Sequence, residues 1–171
     1  MKRLAISGAL VATVLVGAGR AEAGGGATVE VSPVSFTITS EQCPNLPTGT
    51  TIEGSGSLRS VTNERTSPDG VTTVINSSHA TGTATDQDGN VYRFVYSNEF
   101  RASNTAGNPA LFSGRMTDHF SVSGPGPARL SNGFVADFTT NSTFTAFTFD
   151  PLHEHGDPIS FPDGAAMCDP L

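Results

Sequence analysis

Two short turns constrain this chain more than any other feature. Ser67-Pro68-Asp69-Gly70 and Asp86-Gln87-Asp88-Gly89 lie nineteen residues apart, each between runs of alternating apolar and polar residues. Both read as a type I turn followed by a glycine in the left-handed conformation, giving a hairpin with a three-residue loop. Asp or Ser at the first position can bond the turn backbone, Pro68 presets its φ angle, and glycine takes the positive φ at little cost. Such loops fix register: Ser67 pairs with Val71, and Asp86 with Asn90. Because side chains alternate faces along a strand, register also fixes which residues point inward. One face then collects Ile52, Gly54, Gly56, Leu58, Ser60 and Thr62, then Val74, Asn76, Ser78, Ala80, Gly82 and Ala84, then Tyr92, Phe94, Tyr96, Asn98 and Phe100. The other face takes Arg59, His79, Arg93, Glu99 and Arg101. The two turns give one consistent partition, with the first set core and the second surface.

The same alternation extends outward. Val34, Phe36 and Ile38 mark a first strand, where Pro33 argues for an edge or a bulge. A longer connection over 102–108 leads to a strand with Phe112, Gly114, Met116, Asp118, Phe120 and Val122 on one face. The Gly124-Pro125-Gly126-Pro127 segment must turn. Leu130, Phe134, Ala136 and Phe138 then face inward on a strand expected to run to about Thr148, and residues 159–168 can add a short one. The predicted fold is all-β: an antiparallel meander of six to eight strands. It covers its apolar face by forming a barrel or a barrel-like sandwich.

The ends of the chain speak to its compartment. Lys2 and Arg3 precede an uncharged apolar run over 4–19, and Ala21-Glu22-Ala23 offers small residues at the positions a signal peptidase reads. The run is shorter than the ~20 residues a membrane span needs. Residues 1–23 are therefore expected to be a signal peptide, and 24–171 a single secreted domain with no membrane anchor. Removing Lys2, Arg3, Arg20 and Glu22 from nine basic and sixteen acidic residues leaves a net charge near −9. With no basic stripe, nucleic acid is not an expected partner. Cys43 and Cys168 are the only two cysteines. In an oxidising compartment they are expected to form a disulfide, worth roughly 4–5 kcal/mol in the chain-entropy account.

Several of these features recur together: the early strand and Cys43, the Thr-Gly-Thr run opening the second strand, Asp86-x-Asp88-Gly89-Asn90 before Val91-Tyr92-Arg93-Phe94, the Phe112-x-Gly114-x-x-x-Asp118-x-Phe120 run, and the late Cys168. The pattern resembles a group of small secreted β-proteins of actinobacteria without an assigned function. The resemblance implies a bacterial exported β-protein and supplies no catalytic residues. The segment over 149–163 is less familiar and reads as an insertion.

Asp118 is the main candidate for a binding site. Alternation sends it inward between Met116 and Phe120, where an unpaired carboxylate must find donors or shift its pKa upward. A hairpin pairing Phe100 with Phe112 would set Asp118 opposite Phe94, with Gly82 and Gly56 further along the row. Tyr92, Phe94, Met116 and Phe120 would then wall a pocket, with Gly56 and Gly82 leaving room opposite. The alternative is that Asp118 bonds a tyrosine hydroxyl, a backbone N–H or water. Asn76, Ser78, Ser60 and Asn98 would form a polar layer on the inner face. No metal or other cofactor is assigned. His153-Glu154-His155-Gly156-Asp157 has metal-binding residue types but reads as a solvated loop, and Asp86-x-Asp88-Gly89-Asn90 lacks the glutamate that completes a calcium loop. No nucleophile elbow is present. The expected function is non-catalytic binding of a small apolar ligand or a surface partner. The alternatives are a structural, envelope-associated domain, or an enzyme working through Asp118.

Intact-mass analysis of protein recovered from the culture medium should give a chain that begins at Gly24 and is two hydrogens lighter than the reduced form. A chain beginning at Met1, or two titratable thiols, would contradict export or the disulfide respectively.

Overall fold

The computed structural model describes residues 26–156 except Ala106, together with the backbone of two short strands near the C-terminus. Seven strands follow one another in chain order: β1 (Thr28–Thr39), β2 (Thr51–Thr66), β3 (Thr72–Asp86), β4 (Val91–Thr105), β5 (Asn108–Ser123), β6 (Leu130–Asn141) and β7 (Phe147–Gly156). Each pairs antiparallel with the next, so one sheet has the order β1-β2-β3-β4-β5-β6-β7. The pair β8 (Ile159–Ser160) and β9 (Met167–Cys168) forms a separate two-stranded sheet. Among the described residues no helix is long and apolar enough to cross a membrane.

Both predicted turns form. The Ser67 amide donates to Val71 O at 2.9 Å and the Asp86 amide to Asn90 O at 3.1 Å. Gly70 and Gly89 take φ angles of 83° and 82°. The predicted partition follows: Ala80 is fully buried beside an exposed His79, and Tyr92 and Phe94 are each 1% exposed.

The sheet is strongly curled. Phe36 on β1 and Phe120 on β5 are four strand spacings apart, about 19 Å along a flat sheet. Their ring centroids nevertheless lie 5.4 Å apart, edge to face. Glycines allow this bend. Phe36 pairs across the ladder with Gly54, and Phe94 with Gly82. Each ring lies over its glycine so closely that a methyl group there would strike it, and at Gly82 a methyl would also strike the Ser55 carbonyl.

The sheet does not close into a barrel. β1 pairs with β2 and β7 with β6, and the two edges do not pair with each other. Both edges carry features that discourage further pairing. Pro33 in β1 and Pro151 in β7 lack an N–H, and β7 skips a residue at Leu152, where Val135 pairs with His153 but Ala136 with Pro151. Pro33 thus stands on an edge strand, as expected.

Two other boundaries differ from the sequence reading. The segment over 102–108 is mostly strand rather than loop. Asn104 is buried, and its Oδ1 accepts the Thr72 amide at 2.7 Å, so a residue suited to loops holds two strands together. Strand β6 stops at Asn141 instead of continuing to about Thr148. There Asn141 Oδ1 accepts the Thr145 amide at 2.9 Å, and Phe144 adopts a φ of 53° in the reversal to β7. The expected insertion over 149–163 therefore begins as the seventh strand of the sheet.

Gly82→Ala should lower stability by roughly 1–3 kcal/mol, the usual cost of overpacking, read as a lower urea midpoint at unchanged m-value. A midpoint equal to the parent would mean that the Phe94 ring is not seated as described.

Candidate functional site

The inner face carries two apolar clusters. The first gathers Ile38, Ile52, Tyr92, Phe94, Phe120, Val122 and Leu130, with Cys43 and Leu46 folded over it from the β1–β2 connection. The second gathers Val74, Phe112, Met116, Phe134 and Phe138, with the half-buried Phe100, Phe144, Phe147 and Phe149 packed against it. Phe147 and Phe149 stack at 5.7 Å.

A polar band lies between the clusters. Asn76 Nδ2 donates to Ser60 Oγ at 2.9 Å and to Thr62 Oγ1 at 2.8 Å. Ser78 Oγ lies 2.9 Å from both Ser60 Oγ and Asn76 Oδ1. Ser60, Ser78, Asn98 and Asp118 occupy one row across β2 to β5, since Ser60 pairs with Ser78, Ser78 with Asn98 and Asn98 with Asp118. The polar layer read from the sequence is thus present, and Asp118 belongs to it.

Asp118 faces inward, but its row differs from the expected one. It sits opposite Asn98, not Phe94, and Phe94 pairs with Val122. Phe100 pairs with Met116 rather than Phe112. The cause is the β4–β5 hairpin, which stays paired to Thr105 and Asn108 with a register shift next to Asn104. The displacement is an even number of residues, so faces are kept while cross-strand partners change.

The Asp118 carboxylate is half-buried. Tyr96 OH donates to its Oδ2 at 3.0 Å, and Asn98 Nδ2 donates to the same oxygen at 2.8 Å. Oδ1 takes no hydrogen bond among the described residues. Burial dominates, and although both donors favour the charged form, the pKa is pushed up to about 6. Burial, and then the charge of Asp118, push the Tyr96 hydroxyl well above the usual tyrosine range.

The residues expected to line a pocket are split. Tyr92, Phe94 and Phe120 belong to the first cluster and Met116 to the second. The space over Gly82 holds the Phe94 ring, and Gly56 packs directly on the β3 backbone at Thr81. On β6 the partner of Asp118 is Phe134, a member of the second cluster, against which four half-buried phenylalanines pack.

Asp86 is a second buried carboxylate, read from the sequence only as a turn residue. Its Oδ1 accepts the amides of Asp88 and Asn90 at 3.0 and 2.9 Å. Its Oδ2 accepts Asn90 Nδ2 and Tyr92 OH, both at 2.8 Å. Burial raises its pKa, but the four donors outweigh it and hold the group below the usual carboxylate range. This acid is fully engaged in locking its own turn.

His153, Glu154 and His155 lie on the exposed edge strand β7, not in a loop, while Asp157 is outside the described residues. No group of three or more metal-ligating side chains is arranged around a common point among the described residues. Cys43 is buried at 4% exposure, and the side chain of Cys168 lies outside the described residues. The chain matches no protein-family profile, no curated protein and no solved structure.

The raised pKa of Asp118 fixes the sign of a pH effect. A carboxyl near 3.9 in the unfolded chain and about 6 in the folded one favours folding below pH ~4, and that contribution is lost as pH rises through about 6. Asp118→Asn removes this loss. Relative to the parent, the variant should gain on the order of 2 kcal/mol between pH 4 and pH 7, allowing for screening at a half-buried site. Urea unfolding of both proteins across this range checks it; parallel stability curves would refute the shift.

Proposed function

We propose that this is an exported, non-catalytic β-domain whose curled, barrel-like sheet holds a small, largely apolar ligand at Asp118. The observation that carries the reading is the asymmetry of that carboxylate. Both protein donors reach Oδ2 and none of the described residues reaches Oδ1, in a residue whose row borders the second aromatic cluster at Phe134. An acceptor with spare capacity beside apolar walls suits an uncharged ligand bearing one O–H or N–H donor. The Cys43–Cys168 bond would staple the folded domain after export. Placement among the small secreted proteins of actinobacteria rests on the turn, strand and cysteine motifs of the sequence.

One observation favours the second reading, a structural domain with no small-molecule site. Phe36 and Phe94 fill the space over Gly54 and Gly82, and the tyrosine bond gives Asp118 a structural role. The enzymatic reading has less support. Tyr96 holds its proton tightly, so the carboxylate is the pair's one group able to act as base or nucleophile.

Asp118→Asn separates the first two readings. Tyr96 and Asn98 both donate, so the amide oxygen must take the place of Oδ2, and the amide NH2 then replaces Oδ1. The ligand meets a donor where it needs an acceptor, while the fold keeps both bonds. Native mass spectrometry of protein from its own medium should show a retained small molecule in the parent and none in Asp118→Asn. Phenylnaphthylamine, an apolar probe with one N–H, should bind the parent at least tenfold more tightly. No retained mass and equal probe binding would favour the structural reading.

A further inference from the structure

The outer face carries a feature independent of the Asp118 reading. His119 on β5 pairs with Gly133 on β6, and Gly133 pairs with His155 on β7, so the three residues form one row across three strands. The outer strands are two spacings apart, about 10 Å. The imidazole rings nevertheless approach to 5.9 Å between centroids and lie within 13° of parallel. Gly133 makes the approach possible. A methyl group there would strike Cε1 and Nε2 of His155, so the outer end of that imidazole rests on the bare backbone between the two histidines. His153, the next residue on the same face of β7, follows at 6.2 Å from His155. His79 lies further along the same row on β3, with Ser97 of β4 between it and His119.

Two imidazoles on neighbouring positions of an exposed surface are ligands for borderline divalent metals. We propose that His119 and His155 together bind a divalent transition-metal ion such as Ni2+, Zn2+ or Cu2+, with water completing the coordination. With metal–nitrogen bonds of about 2.1 Å, a shared ion holds two imidazole centroids on the order of 5 Å apart, near the 5.9 Å observed, and the near-parallel rings must turn so that their nitrogens converge on it. The donors sit on β5 and on the edge strand β7, so the ion ties the edge of the open sheet to its interior. Binding requires the folded register and must therefore stabilise the fold.

The test uses the full exported protein, with Ni2+ and Zn2+ as probes followed by calorimetry and thermal melts. The parent should bind one ion per chain and melt at a higher temperature when it is present. His119→Ala and His155→Ala should each weaken binding at least tenfold and abolish the rise in melting temperature. His79→Ala, in the same row but two strands beyond His119 on the side away from His155, should leave both unchanged. His155 is exposed and His119 half-buried on the outer face, away from both core clusters, and melts without metal confirm that each variant folds. A parent indifferent to both metals would overturn the proposal. So would a silent His119→Ala accompanied by full loss in His153→Ala, which would put the ion on β7 alone.

Discussion

Aromatic rings laid over cross-strand glycines are the contacts on which the rest of this molecule depends. Alternation alone produces a broad, flat meander with one greasy face and no partner to cover it. Phe36 over Gly54 and Phe94 over Gly82 remove the bulk that would keep the strands flat and place two rings in the hollow that forms. Once the sheet bends, β1 can meet β5 through Phe36 and Phe120, and the inner face covers itself. The price is a pair of strand edges that never meet, each interrupted by a proline. On the outer surface the same arrangement recurs at Gly133, where a histidine ring occupies the vacated space.

Two inward-facing aspartates show how donors and desolvation together set a carboxylate's character. Asp86 receives four donors on two oxygens and is held ionised. Asp118 receives two donors on one oxygen, and desolvation wins. The first is closed to any further partner. The second retains accepting capacity on Oδ1 at the boundary between two aromatic clusters.

Much of the architecture was legible because local rules governed it. The turns at Gly70 and Gly89, and the inward sets of β2, β3 and β4 that follow from them, needed only turn chemistry and alternation. What escaped depended on single side chains reaching the backbone. Asn104 and Asn141 have identical propensities, yet one seals a strand pair and the other ends a strand. Composition cannot distinguish these outcomes. The partner of Asp118 was lost with the hairpin register, while its inward direction survived because the slip was even. The histidine row was unreadable because His155 lies on a strand the sequence presents as a Pro/Gly-bounded loop, and the failure to close depends on two edges far apart in the chain.

That even slip points to what the polar band does for folding. Apolar alternation repeats every two residues, so it scores many alignments of β4 against β5 almost equally. The Asp118 carboxylate does not. Only one alignment puts Asn98 directly across from it with the Tyr96 hydroxyl on the same oxygen; the neighbouring even alignments set it across from Tyr96 or Phe100 and lose the Asn98 partner. The residue that costs stability at neutral pH therefore acts as an address, selecting one hairpin from a set of otherwise near-degenerate ones. Protonation would blunt that selection, so mild acid should make the folded state more stable and its assembly less discriminating at the same time.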